Sequence, residues 1–137
     1  MPSNNTKTVV DGLLAAFKMG DMSTIAEYYA PEYVNRTAFP GASEGFDGHA
    51  AFFMAAAPYL DFLSNETVDV IVSGESASIL SKTRYRIKET SEEFEVFGFA
   101  MIKVKDGLIV ENWGGYDPIG AFKMFEAGVN MSGSETS

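Results

Sequence analysis

Residues 94–125 read FEVFGFAMIKVKDGLIVENWGGYDPIGAFKMF, and this stretch decides the fold. Residues 94–104 and 108–113 have the composition and alternation of two long strands. Between them Asp106-Gly107 is the dipeptide that closes a two-residue hairpin. The second strand delivers Trp113, Tyr116 and Asp117 to the start of a final helix. A carboxylate and two aromatics thus meet where a curved sheet joins a helix, a common place for a ligand cavity. The first strand is apolar on both sides: Phe97, Phe99 and Met101 point one way, Val96, Ala100, Ile102 and Val104 the other. Both faces therefore need cover. Helices can cover the concave one, and the simplest cover for the convex one is a second copy of the sheet, so a homodimer is expected.

Upstream, Val9, Val10, Leu13, Leu14 and Phe17 recur at helical spacing with Gly20 as a stop, which predicts a helix over residues 6–19. Asp21 reads as the cap of a second helix that buries Ile25, Tyr28 and Tyr29 and ends at Pro31. Residues 33–45, YVNRTAFPGASEG, begin extended and become a Gly/Pro/Ser loop. Asp47 reads as the cap of a third helix carrying His49, Phe52, Phe53 and Ala56 as far as Pro58. After it come strands at Val68-Val70-Val72 and at residues 79–87, set off by turns at Ser73-Gly74-Glu75 and Thr90-Ser91-Glu92. The expected order is helix, helix, strand, helix, four strands, helix, an α+β fold.

Composition bounds the function. The 137 residues suit one domain with a single sizeable core, and 46% apolar residues supply it. A net charge of −9 with scattered Lys and Arg argues against nucleic acid as a partner. Lys82, Arg84, Arg86 and Lys88 alternate with Ser81, Thr83, Tyr85 and Ile87, the pattern of one polar strand face. With no Cys, disulfides, thiolate nucleophiles and Cys-held zinc are out of reach. No signal-like segment and no apolar run of about 18 residues is present, so no membrane partner is expected and the cytoplasm is the default location. Residues 1–5 and 130–137 are polar and expected to fray.

In element order and in three segments, GDMSTIAEYYAPEYVN at 20–35, PGASEGFDGHAAFF at 40–53 and VKDGLIVENWGGYDPIGAF at 104–122, the chain resembles the nuclear-transport-factor-2-like superfamily and its SnoaL-like polyketide cyclase group. The resemblance covers residues 6–128 and implies one domain: a cone-shaped barrel in which a strongly curved mixed sheet wraps around three to four helices, with a hydrophobic cavity at the wide end. Members include cyclases, ketosteroid isomerases, epoxide hydrolases, dehydratases and pocket proteins without catalysis, so fold does not choose the function.

Asp117 aligns with the acid that the cyclases use for proton transfer. In a dry pocket such a carboxyl would carry a raised pKa. The plainer reading of Asp-Pro at a helix start is an N-cap followed by the first turn. Tyr33 and Asn35, two apart on the first strand, resemble the pair that holds water in the epoxide hydrolases, and Arg84 sits where their strand carries an Arg. The acids of that set are missing: Arg86 and Gly115 stand in their places. The isomerase residues fall at Leu13, near Asn35 and Arg36, and near Ala100, and none is kept. His49 is the only histidine, which leaves no multi-histidine metal site, and its place in a first helical turn reads as a rim position. The expected site is thus Asp117 as acid/base, with Trp113, Tyr116, Tyr33, Asn35, Arg84, Phe97 and Phe99 around a small hydrophobic molecule, and with no metal or organic cofactor. The alternative is a non-catalytic binding or dimerisation module.

Overall fold

The structure, a computed structural model, describes residues 2–131. Nine elements follow in the expected order: α1 (Pro2–Met19), α2 (Met22–Ala26), β1 (Tyr29–Asn35), α3 (Phe46–Ala56), β2 (Leu60–Ser73), β3 (Ser76–Ile87), β4 (Glu93–Lys105), β5 (Leu108–Tyr116) and α4 (Pro118–Glu126). The strands form one mixed sheet in the order β1-β5-β4-β3-β2, with β1 parallel to β5 and every other pair antiparallel.

The apolar stripe of α1 explains where the main core lies. Val9, Val10, Leu13 and Ala16 are buried with Ile25 and Tyr33 against Ala77, Ile79, Ile102, Val104 and Ile109 of the sheet. A second cluster gathers Phe52 and Ala56 of α3, Leu60, Ile87 and Val96 of the sheet, Met124 of α4, and Val129. Both lie on the concave side, and α1 ends where Gly20 takes φ +66, a conformation that costs glycine nothing. Asp106 and Gly107 both have positive φ, 52 and 80, as a type I′ hairpin turn requires.

The differences from expectation have local causes. Helix α2 stops at Ala26, and Tyr29 already belongs to β1, with Pro31 inside that strand. An edge strand tolerates proline because one side of it needs no ladder bond. Helix α3 is capped by Gly45 without a side-chain bond, while Asp47 lies in its first turn and accepts from Ser43 Oγ at 2.6 Å. Strand β2 begins at Leu60, and register shifts between Phe62 and Ser64 and between Thr67 and Asp69 break its alternation. The second shift sends Val68 outward, 47% exposed, while Val70 and Val72 pack on the main core. Strand β5 runs past Trp113 through both glycines to Tyr116. At the ends, α1 already includes residues 2–5, and Met131 packs against the second cluster; the expected fraying of 1 and 132–137 lies outside the described residues.

Candidate functional site

The curve of the sheet and the helices α1, α2 and α3 enclose a cavity of about 470 Å³. Phe17, Phe46, Phe52 and Phe53 wall it from the helices; Asn35, Asn65, Thr83, Tyr85, Asn112 and Tyr116 face it from the strands. Its lining contains no Asp, Glu, Lys or Arg among the described residues.

Polar groups converge at the β1–β5 end. Asn35 and Asn112 are register partners across the parallel pair. Asn112 Nδ2 donates to Asn35 Oδ1 at 3.3 Å, and the same oxygen accepts from Thr37 N at 3.1 Å and Thr37 Oγ1 at 3.2 Å. Thr37 Oγ1 in turn accepts from Gly114 N at 2.8 Å, which ties the loop after β1 to β5. Gly114 must be glycine for this approach, because a Cβ there would run into the Phe99 carbonyl oxygen. Asn112 Oδ1 is buried with no partner in the protein.

His49 is not a rim residue. Helix α3 carries it inward, where its Nε2 lies 2.7 Å from the Tyr33 hydroxyl, within a ring cluster that also holds Tyr29 and Phe46. Burial lowers the His49 pKa, which keeps the imidazole neutral near pH 7. A neutral ring can accept a proton at one nitrogen while donating at the other. Burial, and then the neighbouring Tyr29, raises the Tyr33 pKa, so this phenol stays protonated. Burial also raises Tyr29 and Tyr116, and pushes Tyr85 up to about 12. The cavity therefore offers neutral phenols, amides and one neutral imidazole.

The residues expected from the sequence divide into two groups. Asn35 and Tyr116 line the cavity, with Tyr116 stacked on Phe52 at a centroid distance of 5.8 Å, while Tyr33 lies buried behind the lining against His49. Asp117 does not line the cavity. It is the N-cap of α4: Oδ2 accepts from Gly120 N at 2.8 Å and Oδ1 from Phe97 N at 2.7 Å. Arg84 lies on the outer face, where its Nε donates to Glu93 at 3.0 Å and its NH1 to Glu95 at 3.3 Å. Trp113 and Phe97 are also outward, 50% and 41% exposed, and Phe99 borders both the outer groove and the cavity. His49, Asn112 and Asn65 were not expected in the site. The one available signal for His49 was its place beside Phe52 and Phe53 on an apolar helix.

A curved mixed sheet closed by helices over an uncharged cavity defines a nuclear-transport-factor-2-like cone. The SnoaL-like domain family model matches residues 10–112, and the chain belongs to that family. Solved structures agree on the fold. TsrD from Streptomyces laurentii superposes with a TM-score of 0.74 at 22% identity, covering 93% of this chain and 98% of that one. IdmH from Streptomyces antibioticus, itself a proposed polyketide cyclase, gives 0.72 at 20% identity over 88% and 98%. An NTF2-like protein of Burkholderia xenovorans LB400 gives 0.65 at 19% identity over 90% and 98%. No curated protein matches the sequence. No helix among the described residues is long and apolar enough to cross a membrane.

Proposed function

We propose that the chain binds a small, uncharged, mainly apolar and oxygenated molecule in the concave cavity, and that His49, held by Tyr33 from behind, moves a proton on it. The observation that carries this reading is the neutral imidazole, bonded to a phenol at 2.7 Å, in the lining of a cavity walled by phenylalanines. Charged ligands are disfavoured because the lining offers no counter-charge among the described residues, and burying an unpaired charge is expensive. Proton transfer between a ligand carbon or oxygen and the imidazole suits a cyclisation, isomerisation or dehydration. Asp117 was the sequence-based choice for this role; both its oxygens are engaged by backbone amides, which supports the cap instead.

The absence of any carboxylate from the lining among the described residues favours a second reading, a binding protein that does not change its ligand. One experiment separates the two. A panel of neutral carbonyl and lactone compounds is screened by NMR for binding, and each binder is incubated with wild type and His49→Gln while product is followed by mass spectrometry. Turnover lost in the variant supports the acid/base reading. Binding without product in either protein supports the carrier.

The homodimer is part of the same proposal. Ile71, Phe97, Phe99, Met101 and Trp113 leave an apolar band exposed on the outer face. Beside it Lys82, Arg84 and Arg86 pair with Glu66, Glu93 and Glu95, so this face is charge-balanced although the chain carries −9. Two acidic copies repel least across such a face.

A further inference from the structure

The 2.7 Å contact between Tyr33 and His49 can be made in two ways, and the surrounding bonds favour one. Either the Tyr33 hydroxyl donates to Nε2 and the ring hydrogen sits on Nδ1, or Nε2–H donates to the Tyr33 oxygen and the phenol must place its own hydrogen elsewhere. Tyr33 is 3% exposed, and its hydroxyl donates to no other acceptor among the described residues. The neighbouring Asn112 amide does not serve as one. Asn35 Oδ1 takes the Thr37 backbone N–H, so the Asn112 atom that bonds to it is the nitrogen, and Asn112 Oδ1 is left buried without a donor. The second arrangement therefore buries an unpaired O–H at its full desolvation cost, and the first does not. The influences on the Tyr33 pKa agree: burial and then Tyr29 raise it, while Asn112 lowers it, as an amide N–H directed at the phenol oxygen does. His49 Nδ1 makes no hydrogen bond among the described residues, and it is not one of the sealed polar atoms, which are Asn65 Oδ1 and Asn112 Oδ1. His49 lines the cavity and Tyr33 does not, so Nδ1 is the ring nitrogen that a cavity ligand can reach.

We infer that Tyr33 is a positioning residue that holds His49 as the Nδ1–H tautomer, and that the ligand is a neutral carbonyl compound whose oxygen accepts that N–H. This rests on the reading that the cavity binds a small molecule, and it gives the proton a direction. The ring donates toward a ligand oxygen. A ligand O–H or C–H aimed at Nδ1 finds no lone pair there, because the one lone pair of the neutral ring is on Nε2 and Tyr33 occupies it. A fixed donor in a wall of phenylalanines polarises a carbonyl more strongly than a donor in water does.

His49 is the only histidine, so nitrogen-15 NMR of the imidazole reads its ring alone. At about pH 7.5, where burial keeps the ring neutral, wild type should show a protonated Nδ1 and an unprotonated Nε2. Tyr33→Phe should lose that pattern and drift toward the tautomer mixture of an imidazole in water. Wild type is then titrated with cyclohexanone and with methylenecyclohexane, in which a CH2 group replaces the carbonyl oxygen. The ketone should shift the Nδ1 signal. The alkene should leave that signal still while moving the methyl signals of Ile25 and Ile79, which also line the cavity. An Nε2–H ring in wild type overturns the tautomer assignment and leaves the cavity reading standing, and an Nδ1–H pattern unchanged in Tyr33→Phe removes Tyr33 from its positioning role. Methyl shifts with both compounds at an unmoved Nδ1 overturn the donor role with the cavity occupied. If neither compound moves the methyl signals, the cavity reading falls and the donor role falls with it.

Discussion

The Tyr33 hydroxyl and His49 Nε2 lie 2.7 Å apart, joining the edge strand β1 to helix α3. The contact does two jobs. It satisfies two polar atoms that burial would otherwise leave unpaired, and it fixes the one ring in this chain able to exchange a proton near neutral pH.

The pH dependence of stability follows from His49. Its folded pKa lies below 6.5 because burial penalises the charged ring. The unfolded chain therefore binds more protons in the window beneath 6.5, and stability falls as pH drops through it. Urea midpoints at pH 7.5 and at about pH 5.5 should differ in wild type and differ less in His49→Gln. Glu93 and Glu111, both lowered first by hydrogen bonds from arginines, lose their contributions at lower pH, as it falls below the ordinary 4.5, so they do not confuse the comparison. Equal slopes in the two proteins would count against a buried neutral His49.

Replacing Tyr33 with Phe removes one partner and leaves Nε2 of the half-buried His49 without it. A cost of about 1–3 kcal/mol is expected in denaturant unfolding, since the unsatisfied atom carries its full desolvation penalty. If the acid/base reading holds, turnover of an accepted ligand should fall further than this variant's binding does.

Asp117 should behave as a cap. Asp117→Ala is expected to cost about 0.5–2 kcal/mol from the cap of α4, with an added loss from the freed Phe97 amide. Asp117→Asn, which keeps an acceptor, should cost less, and cavity ligands should bind and turn over in it at close to the wild-type rate. A complete loss of turnover in a well-folded Asp117→Asn would return the chemistry to this carboxylate.

Gly120 lets α4 approach β4. A Cβ there would stand 2.8 Å from Val96 Cγ1 and 2.7 Å from Asp117 Oδ1. The helix-propensity gain of about 1 kcal/mol for Gly120→Ala should be outweighed by overpacking of about 1–3 kcal/mol. A rise in melting temperature would show that α4 yields more easily than this packing implies.

For the dimer, sedimentation velocity should find wild type as two copies and Met101→Lys with Trp113→Glu as one. Both residues are half-exposed register partners on the outer face, so the monomer should remain folded. A monomeric wild type at micromolar concentration would refute this use of the face.

What the sequence by itself determined was local. Asp106-Gly107 can only be the turn it is, the stripe of α1 can only face a core, and Asp-Pro at 117–118 can only start a helix, because each depends on neighbours within a few residues. The element order followed from these signals, and so did the two opposed faces of β4. The site depended on distance. Tyr33 meets His49 from 16 positions away, and Asn35 meets Asn112 from 77. Asp117 gained a second amide from Phe97, 20 residues back, and that bond decides how its carboxylate is occupied. Two shifts of register in β2 chose which of its side chains face the cavity, and no periodicity announces a bulge. Only the tertiary structure could decide these points, because whether a polar side chain works as a cap, a surface ion pair or a buried proton donor is set by the groups that folding brings against it.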